Sequence, residues 1–130
     1  MTDPGVGKFA ELLGVRTVLM HEGRSTFELT VRPEHLNPYG VVHGGVVYAL
    51  ADQAMGGAMV TRLRPGERCA TIEIKINYLA SVSGGTLRAE AVVLERTNRL
   101  GVLEARVHAG DGRLLSIATG TYYISASPAP

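Results

Sequence analysis

The sequence is short of cysteine, of net charge and of long uncharged apolar stretches, and each shortage removes a class of protein. A single thiol, Cys69, has no partner for an internal disulfide, which points to a reducing compartment and so to the cytoplasm. Twelve acidic residues against 13 basic ones leave a formal net charge of +1. Eleven of the basic residues are Arg, scattered along the chain, so no basic patch offers itself to a nucleic acid and no such partner is expected. Any phosphate group must be met by a few local arginines. The longest apolar stretch, Gly44 to Val60, is interrupted by Asp52 and Gln53 and is short for a membrane span. Residues Met1 to Gly7 lack the basic and apolar regions of a signal peptide. His21, His35, His43 and His108 show no metal-ligand spacing, so neither a metal nor a cofactor is expected.

What is present is a chain of 130 residues, 45% hydrophobic, long enough to bury a real core, and one domain over residues 1–130 is expected. Pro4 to Leu13 reads as a short helix with Phe9, Leu12 and Leu13 at helical spacing. Val15 to Met20 and Ser25 to Val31 read as strands joined at Glu22-Gly23. The loop Arg32 to Val42 carries two prolines and a glycine. Gly45 to Leu63 then shows apolar residues all round the helical wheel, the pattern of a helix buried on every side. Four strands follow. Thr71 to Leu79 alternates, with Ile72, Ile74, Ile76 and Tyr78 on one face and Thr71, Glu73, Lys75 and Asn77 on the other. Thr86 to Glu95, Gly101 to Ala109 and Arg113 to Ile124 complete the set, the last pair joined by the hairpin signal Asp111-Gly112. The pattern is that of an α+β protein in which one long antiparallel sheet wraps one central apolar helix. Exposed sheet edges in such a fold favour pairing with a second copy, so a homodimer or a tetramer built from it is expected.

Two features carry chemistry. Asp52 lies mid-helix among Val47, Leu50, Ala51, Ala54 and Met55, where an ionised carboxylate without a partner costs several kcal/mol. Arg62, ten residues on, is nearly three turns away. The carboxylate is either a functional group or an Asp hydrogen-bonded to a neighbouring strand or to a partner subunit. The second feature is the run Asn37-Pro38-Tyr39-Gly40-Val41-Val42-His43-Gly44-Gly45 at the helix entry. Free N–H groups and the helix dipole favour negative charge there, and two glycines permit close approach to the main chain. Either the Gly44 amide serves a developing oxyanion, or this is an ordinary junction with His43 as a cap. Cys69 has no His near it in sequence and opens an apolar strand, so it reads as structural.

Asn37, His43-Gly44-Gly45, Asp52 and the strand Thr71 to Leu79 resemble the PaaI-type hotdog-fold acyl-CoA thioesterases. Gly85 to Ala91 and Asp111-Gly112-Arg113 are similar to that family's later strands, and the likeness runs from about Val15 to Ile124. The resemblance implies a hotdog dimer with its helices side by side beneath one continuous sheet. It implies two sites across the interface, where Asn37, His43 and Gly44 of one subunit face Asp52 and Thr71 of the other. By the same resemblance the Gly44 amide polarises the thioester carbonyl, and Asp52 acts as general base or nucleophile. Asn37 positions the water or the thioester, His43 supports the loop or touches substrate, and Thr71 bonds near Asp52. One branch of the family carries Glu at the acid and a hydroxyl four residues on; here Asp52 and Gly56 stand there, which places the chain in the Asp-type branch. The implied substrate is an aryl-acetyl or medium-chain acyl-CoA. Gly45 and Tyr48 stand beside its path; Tyr48, Met55 and Met59 are either walls for the acyl group or plain core, and Arg96, Arg99 and Arg113, at hairpin turns, either meet the nucleotide or are simply solvated. The alternatives are a dehydratase or hydratase on the same fold, or an acyl-CoA-binding protein without catalysis.

Overall fold

The computed structural model describes residues 5–126, so the expected helix start at Pro4 and the last part of the expected tail, residues 127–130, lie outside the described residues. Helix α1 runs Lys8–Leu13, shorter than its pattern suggested, and ends at Gly14 in the left-handed conformation, whose N–H returns to the carbonyls of Ala10 and Glu11. Its inward residue is Ala10; Phe9 and Leu12, expected to share the apolar face, are exposed.

Strands β1 (Val15–His21) and β2 (Arg24–Thr30) form a hairpin and are followed by helix α2 (Gly44–Val60). Strands β3 (Glu67–Tyr78), β4 (Thr86–Arg96), β5 (Leu100–Ala109) and β6 (Leu114–Ala126) complete one antiparallel sheet in the order β1-β2-β4-β5-β6-β3. The sheet curls around α2. Leu50, Ala54, Met55 and Met59 of the helix meet Phe27, Leu87, Leu103 and their neighbours on the concave face, all fully buried. Each such Leu or Met stabilises the fold by about 1.5–3 kcal/mol relative to exposure. Close approach is provided by glycine: a Cβ at Gly120 would lie 3.1 Å from the Met55 sulfur, and one at Gly57 only 2.5 Å from the Phe27 ring. Helix α2 ends at Val60 with Thr61 as its C-cap, short of the expected Leu63; Pro65 disfavours the helical region for Arg64 and so keeps the helix from resuming. No helix among the described residues is long and apolar enough to cross a membrane.

Two expectations need correction. Helix α2 is not buried on every side: Gly45, Tyr48, Ala49, Asp52, Gln53, Gly56 and Val60 form a stripe that reaches solvent. Six strands from one chain cover only part of the helix circumference, and small residues give the uncovered stripe its apolar reading. The strict alternation of β3 is also broken, by a β-bulge between Thr71 and Glu73. The extra residue, Ile72, is 54% exposed. Beyond the bulge the parity of the strand reverses, so Thr71 and Tyr78, seven residues apart, both turn toward the helix.

Candidate active site

Asp52 sits on the open stripe of α2, and two hydroxyls from the sheet converge on it. Thr71 on β3 donates to Asp52 Oδ1 over 2.9 Å, and Tyr122 on β6 donates to the same oxygen over 2.5 Å. Thr71 and Tyr122 are direct cross-strand partners, which puts their side chains on one face side by side. Of the partners left open for Asp52, a neighbouring strand or a second subunit, the chain itself supplies the first: Thr71 bonds it as expected, Tyr122 joins it, and both come from strands that only the folded sheet brings to the helix. Tyr122 is 2% exposed. Burial first, and the hydrogen bond to the Asp52 carboxylate second, push its phenol far above the usual range, so it remains a donor. Cys69, one strand position pair from Thr71, is pushed up by burial and then by the Asp52 charge. It therefore stays a thiol rather than a thiolate, which agrees with a structural reading.

A cavity of about 280 Å³ opens beside these groups. Asp52, Thr71 and Tyr122 form its polar wall, and Met20, Phe27 and Val60 its apolar one. Met55 and Met59, expected as pocket walls, are instead buried in the core against Gly120 and Gly101. Tyr48 stays on the open stripe, 37% exposed.

The helix entry forms a second locus. His43 is the N-cap, its Nδ1 accepting from the Gly45 N–H over 2.7 Å. The Gly44 carbonyl accepts from the Tyr78 hydroxyl over 2.8 Å. The Gly44 N–H has no acceptor among the described residues and stands at the positive end of the helix dipole. Asn37 shapes the approach: its Oδ1 accepts from the N–H groups of Tyr39 and Val41, at 2.9 and 3.3 Å, closing the loop on itself. Its carboxamide oxygen is therefore committed to the loop. A cavity of about 210 Å³ borders Asn37, Gly44, Tyr78 and Leu115. Along α2, eight residues at 1.5 Å each separate Gly44 from Asp52 by about 12 Å. The two loci of one chain are thus too far apart to act on one carbonyl group.

The arginines separate as well. Arg96 is engaged by both oxygens of Glu67, its two terminal nitrogens each 2.8 Å from one of them, and donates to the Arg62 carbonyl. This pairing holds Glu67 at about 2, well below its ordinary 4.5, with the Arg64 N–H as the second cause. The guanidinium is a structural clamp: with the Thr97 carbonyl on its Nε, four of its five N–H donors are taken within the fold, too few remaining for a bidentate grip on a phosphate. Arg99 bonds the Tyr123 hydroxyl at 3.1 Å. Arg113 pairs with Asp111 in its turn, at 3.1 Å, and lines a cavity that shares Val41, Ser81 and Val82 with the one at Gly44. Only Arg113 of the three lies near the helix entry.

Tyr122 and Tyr78 were missed by sequence reasoning. The available signal was a tyrosine on the inward face of β6, in alternation with Ala118, Gly120 and Ile124, where a buried hydroxyl needs a polar partner. Among the described residues no three His, Cys, Asp or Glu side chains converge as a metal site would require.

A family model described as the thioesterase superfamily matches residues 39–116. A protein of Archaeoglobus fulgidus that carries a provisional esterase name is 35% identical over 117 residues, spanning 89% of this chain and 74% of its own. The 1,4-dihydroxy-2-naphthoyl-CoA hydrolase of Listeria monocytogenes is 29% identical over 111 residues, spanning 85% of this chain and 90% of its own. Among solved structures, the PaaI protein of E. coli, from the phenylacetic acid degradation operon, superposes with a TM-score of 0.85 at 25% identity, covering 92% of this chain and 85% of its own.

Proposed function

The chain belongs to the thioesterase superfamily and has its hotdog fold, and from that premise we propose that it hydrolyses acyl-CoA thioesters, releasing the free acid and coenzyme A. The observation that carries the reading is the Asp52 carboxylate, fixed at one oxygen by Thr71 and Tyr122 and facing a cavity with an apolar far wall. Held in that way, Asp52 takes a proton from water rather than swinging to the carbonyl itself. The water attacks the thioester carbon, the C–S bond breaks, and the proton passes to the departing thiolate. The oxyanion of the intermediate is met by the Gly44 N–H.

Because Gly44 lies about 12 Å from Asp52 of its own chain, the reading requires two copies, Gly44 of one facing Asp52 of the other. The uncovered stripe on α2 and the outer edge of β3 suit such pairing, since both leave surface that a second copy can cover. Asn37 and His43 then shape the entry loop rather than touch the reacting atoms, with Gly45 and Tyr48 beside the thioester path and Arg113 toward the nucleotide. The size and apolar wall of the cavity, together with relatives named for a naphthoyl-CoA and for phenylacetic acid degradation, favour an aryl or aryl-acetyl group over a medium-length chain.

The test is free-thiol release from a panel of acyl-CoAs by wild type and by Asp52→Asn. Aryl thioesters should lead the panel, and the variant should lose about 100-fold or more in kcat, the scale of a general base. No release from any thioester, with binding retained, would place the chain among acyl-CoA binders without catalysis.

A further inference from the structure

We propose that Tyr122 is a positioning residue that decides which oxygen of Asp52 reacts, an inference that rests on Asp52 being the base of the hydrolysis proposed above. Both sheet hydroxyls donate to Oδ1, Thr71 at 2.9 Å and Tyr122 at 2.5 Å, while Oδ2 has no hydrogen bond among the described residues. The two oxygens are therefore unequal. Oδ1 has its lone pairs engaged and is the poorer base; Oδ2 keeps its basicity toward a water in the adjoining cavity. Two donors on one oxygen also stop rotation of the carboxylate, which a single bond would permit.

Of the two donors, Tyr122 is the stronger constraint. Thr71 is on an edge strand and exposed, whereas Tyr122 is buried on β6, flanked by β5 and β3. The Tyr122 oxygen also lies 3.0 Å from the Asp52 main-chain carbonyl, so it sits against both the backbone and the side chain of one residue. Its ring is confined: a Cβ on Gly120 would stand 3.1 Å from it and one on Gly56 3.9 Å. Gly56, one helical turn beyond Asp52, supplies no hydroxyl, so the donors must come from the sheet. The phenol is pushed up by burial first and by the carboxylate second, so it stays a donor.

The experiment compares wild type, Asp52→Asn, Tyr122→Phe and the double variant on the best thioester of the panel. Tyr122→Phe keeps the ring and removes only the donor. Its kcat should fall about 10-fold or more, the scale of one hydrogen bond to a charged group, with KM within about twofold. Added to Asp52→Asn, the same change should have no further effect, because a residue acting through the carboxylate has nothing left to position. A kcat within twofold of wild type, a loss carried by KM, or an equal loss in the Asp52→Asn background overturns the proposal while thiol release by wild type leaves the thioesterase reading standing. No release by wild type overturns both. Should Tyr122→Phe fail to fold, 3,5-difluorotyrosine at position 122 retains ring and hydroxyl but donates more strongly, drawing charge from the carboxylate through Oδ1. It should move the acid limb of the kcat profile to lower pH at an unchanged melting temperature, and an unmoved limb overturns the proposal.

Discussion

The Tyr78 hydroxyl donates to the Gly44 carbonyl oxygen across 2.8 Å, tying strand β3 to the first residue of helix α2. The N–H of the same peptide unit, on Gly45, is taken by His43 Nδ1. The Gly44–Gly45 peptide is thus held at both polar ends, which fixes the direction of the neighbouring Gly44 N–H. A Cβ at Gly44 would come within 3.2 Å of the Tyr78 ring, so any larger residue would have to push that ring aside by a few tenths of an ångström. Tyr78→Phe should lower stability by about 0.5–1.5 kcal/mol, the net worth of one hydrogen bond, and reduce kcat severalfold as the oxyanion donor loosens. Thermal melts and thiol-release kinetics check both; an unchanged kcat would separate Tyr78 from the oxyanion.

Adjacent glycines on α2 should respond oppositely to alanine. At Gly57 the new methyl would meet the Phe27 ring at 2.5 Å in a closed core, and overpacking of that kind costs about 1–3 kcal/mol. At Gly56 the nearest atom is 3.9 Å away, on Tyr122, and the gain in helix propensity is about 0.5–1 kcal/mol. Urea denaturation of both variants decides it, and equal midpoints would contradict the packing described here.

Ile72, the extra residue of the bulge, is an exposed apolar side chain on an edge strand. Ile72→Lys should leave the chain folded but weaken self-association, because a charge on an edge opposes strand pairing. Wild type should sediment as a dimer or larger at micromolar concentration and the variant should dissociate on dilution, losing activity as it does. A wild-type monomer would remove the two-copy site.

Glu67 is held at about 2 against an ordinary 4.5, first by Arg96 and then by the Arg64 N–H. A carboxyl lowered by folding adds stability above its unfolded value and loses it as pH falls toward its folded one. The melting-temperature difference between wild type and Glu67→Gln should therefore be complete at pH 6, shrink from about 4.5 downward, and vanish near 2. In the same vein, Arg96→Ala should lower the melting temperature with little change in KM for an acyl-CoA, whereas Arg113→Ala should raise KM. The reverse order would return Arg96 to the nucleotide.

Local sequence rules reached far into this protein. The 3.6 and 2 residue periods placed both α-helices and the six strands, though not the short 3-10 turn Pro33–His35 in the segment read as a loop; turn glycines placed the hairpins, and an acid in an apolar helix marked Asp52, because each depends on neighbours within a few residues. What surrounds Asp52 was decided elsewhere. By alternation Thr71 shares a face with Glu73, Lys75 and Asn77, and only the resemblance brought it to Asp52, since an unbroken period carries no sign of the bulge that turns it to the helix. Tyr122, 70 residues from Asp52, arrives only because β6 pairs with β3 in a register set by the whole sheet. Arg96, at a hairpin turn, read as a candidate for the nucleotide, since nothing nearby in sequence shows that Glu67, 29 residues away, would be brought to it. Periodicity reports which side of an element is apolar; it does not report which elements meet, and hydrogen bonds between hydroxyl, carboxylate and guanidinium groups form only where tertiary packing brings them within about 3 Å.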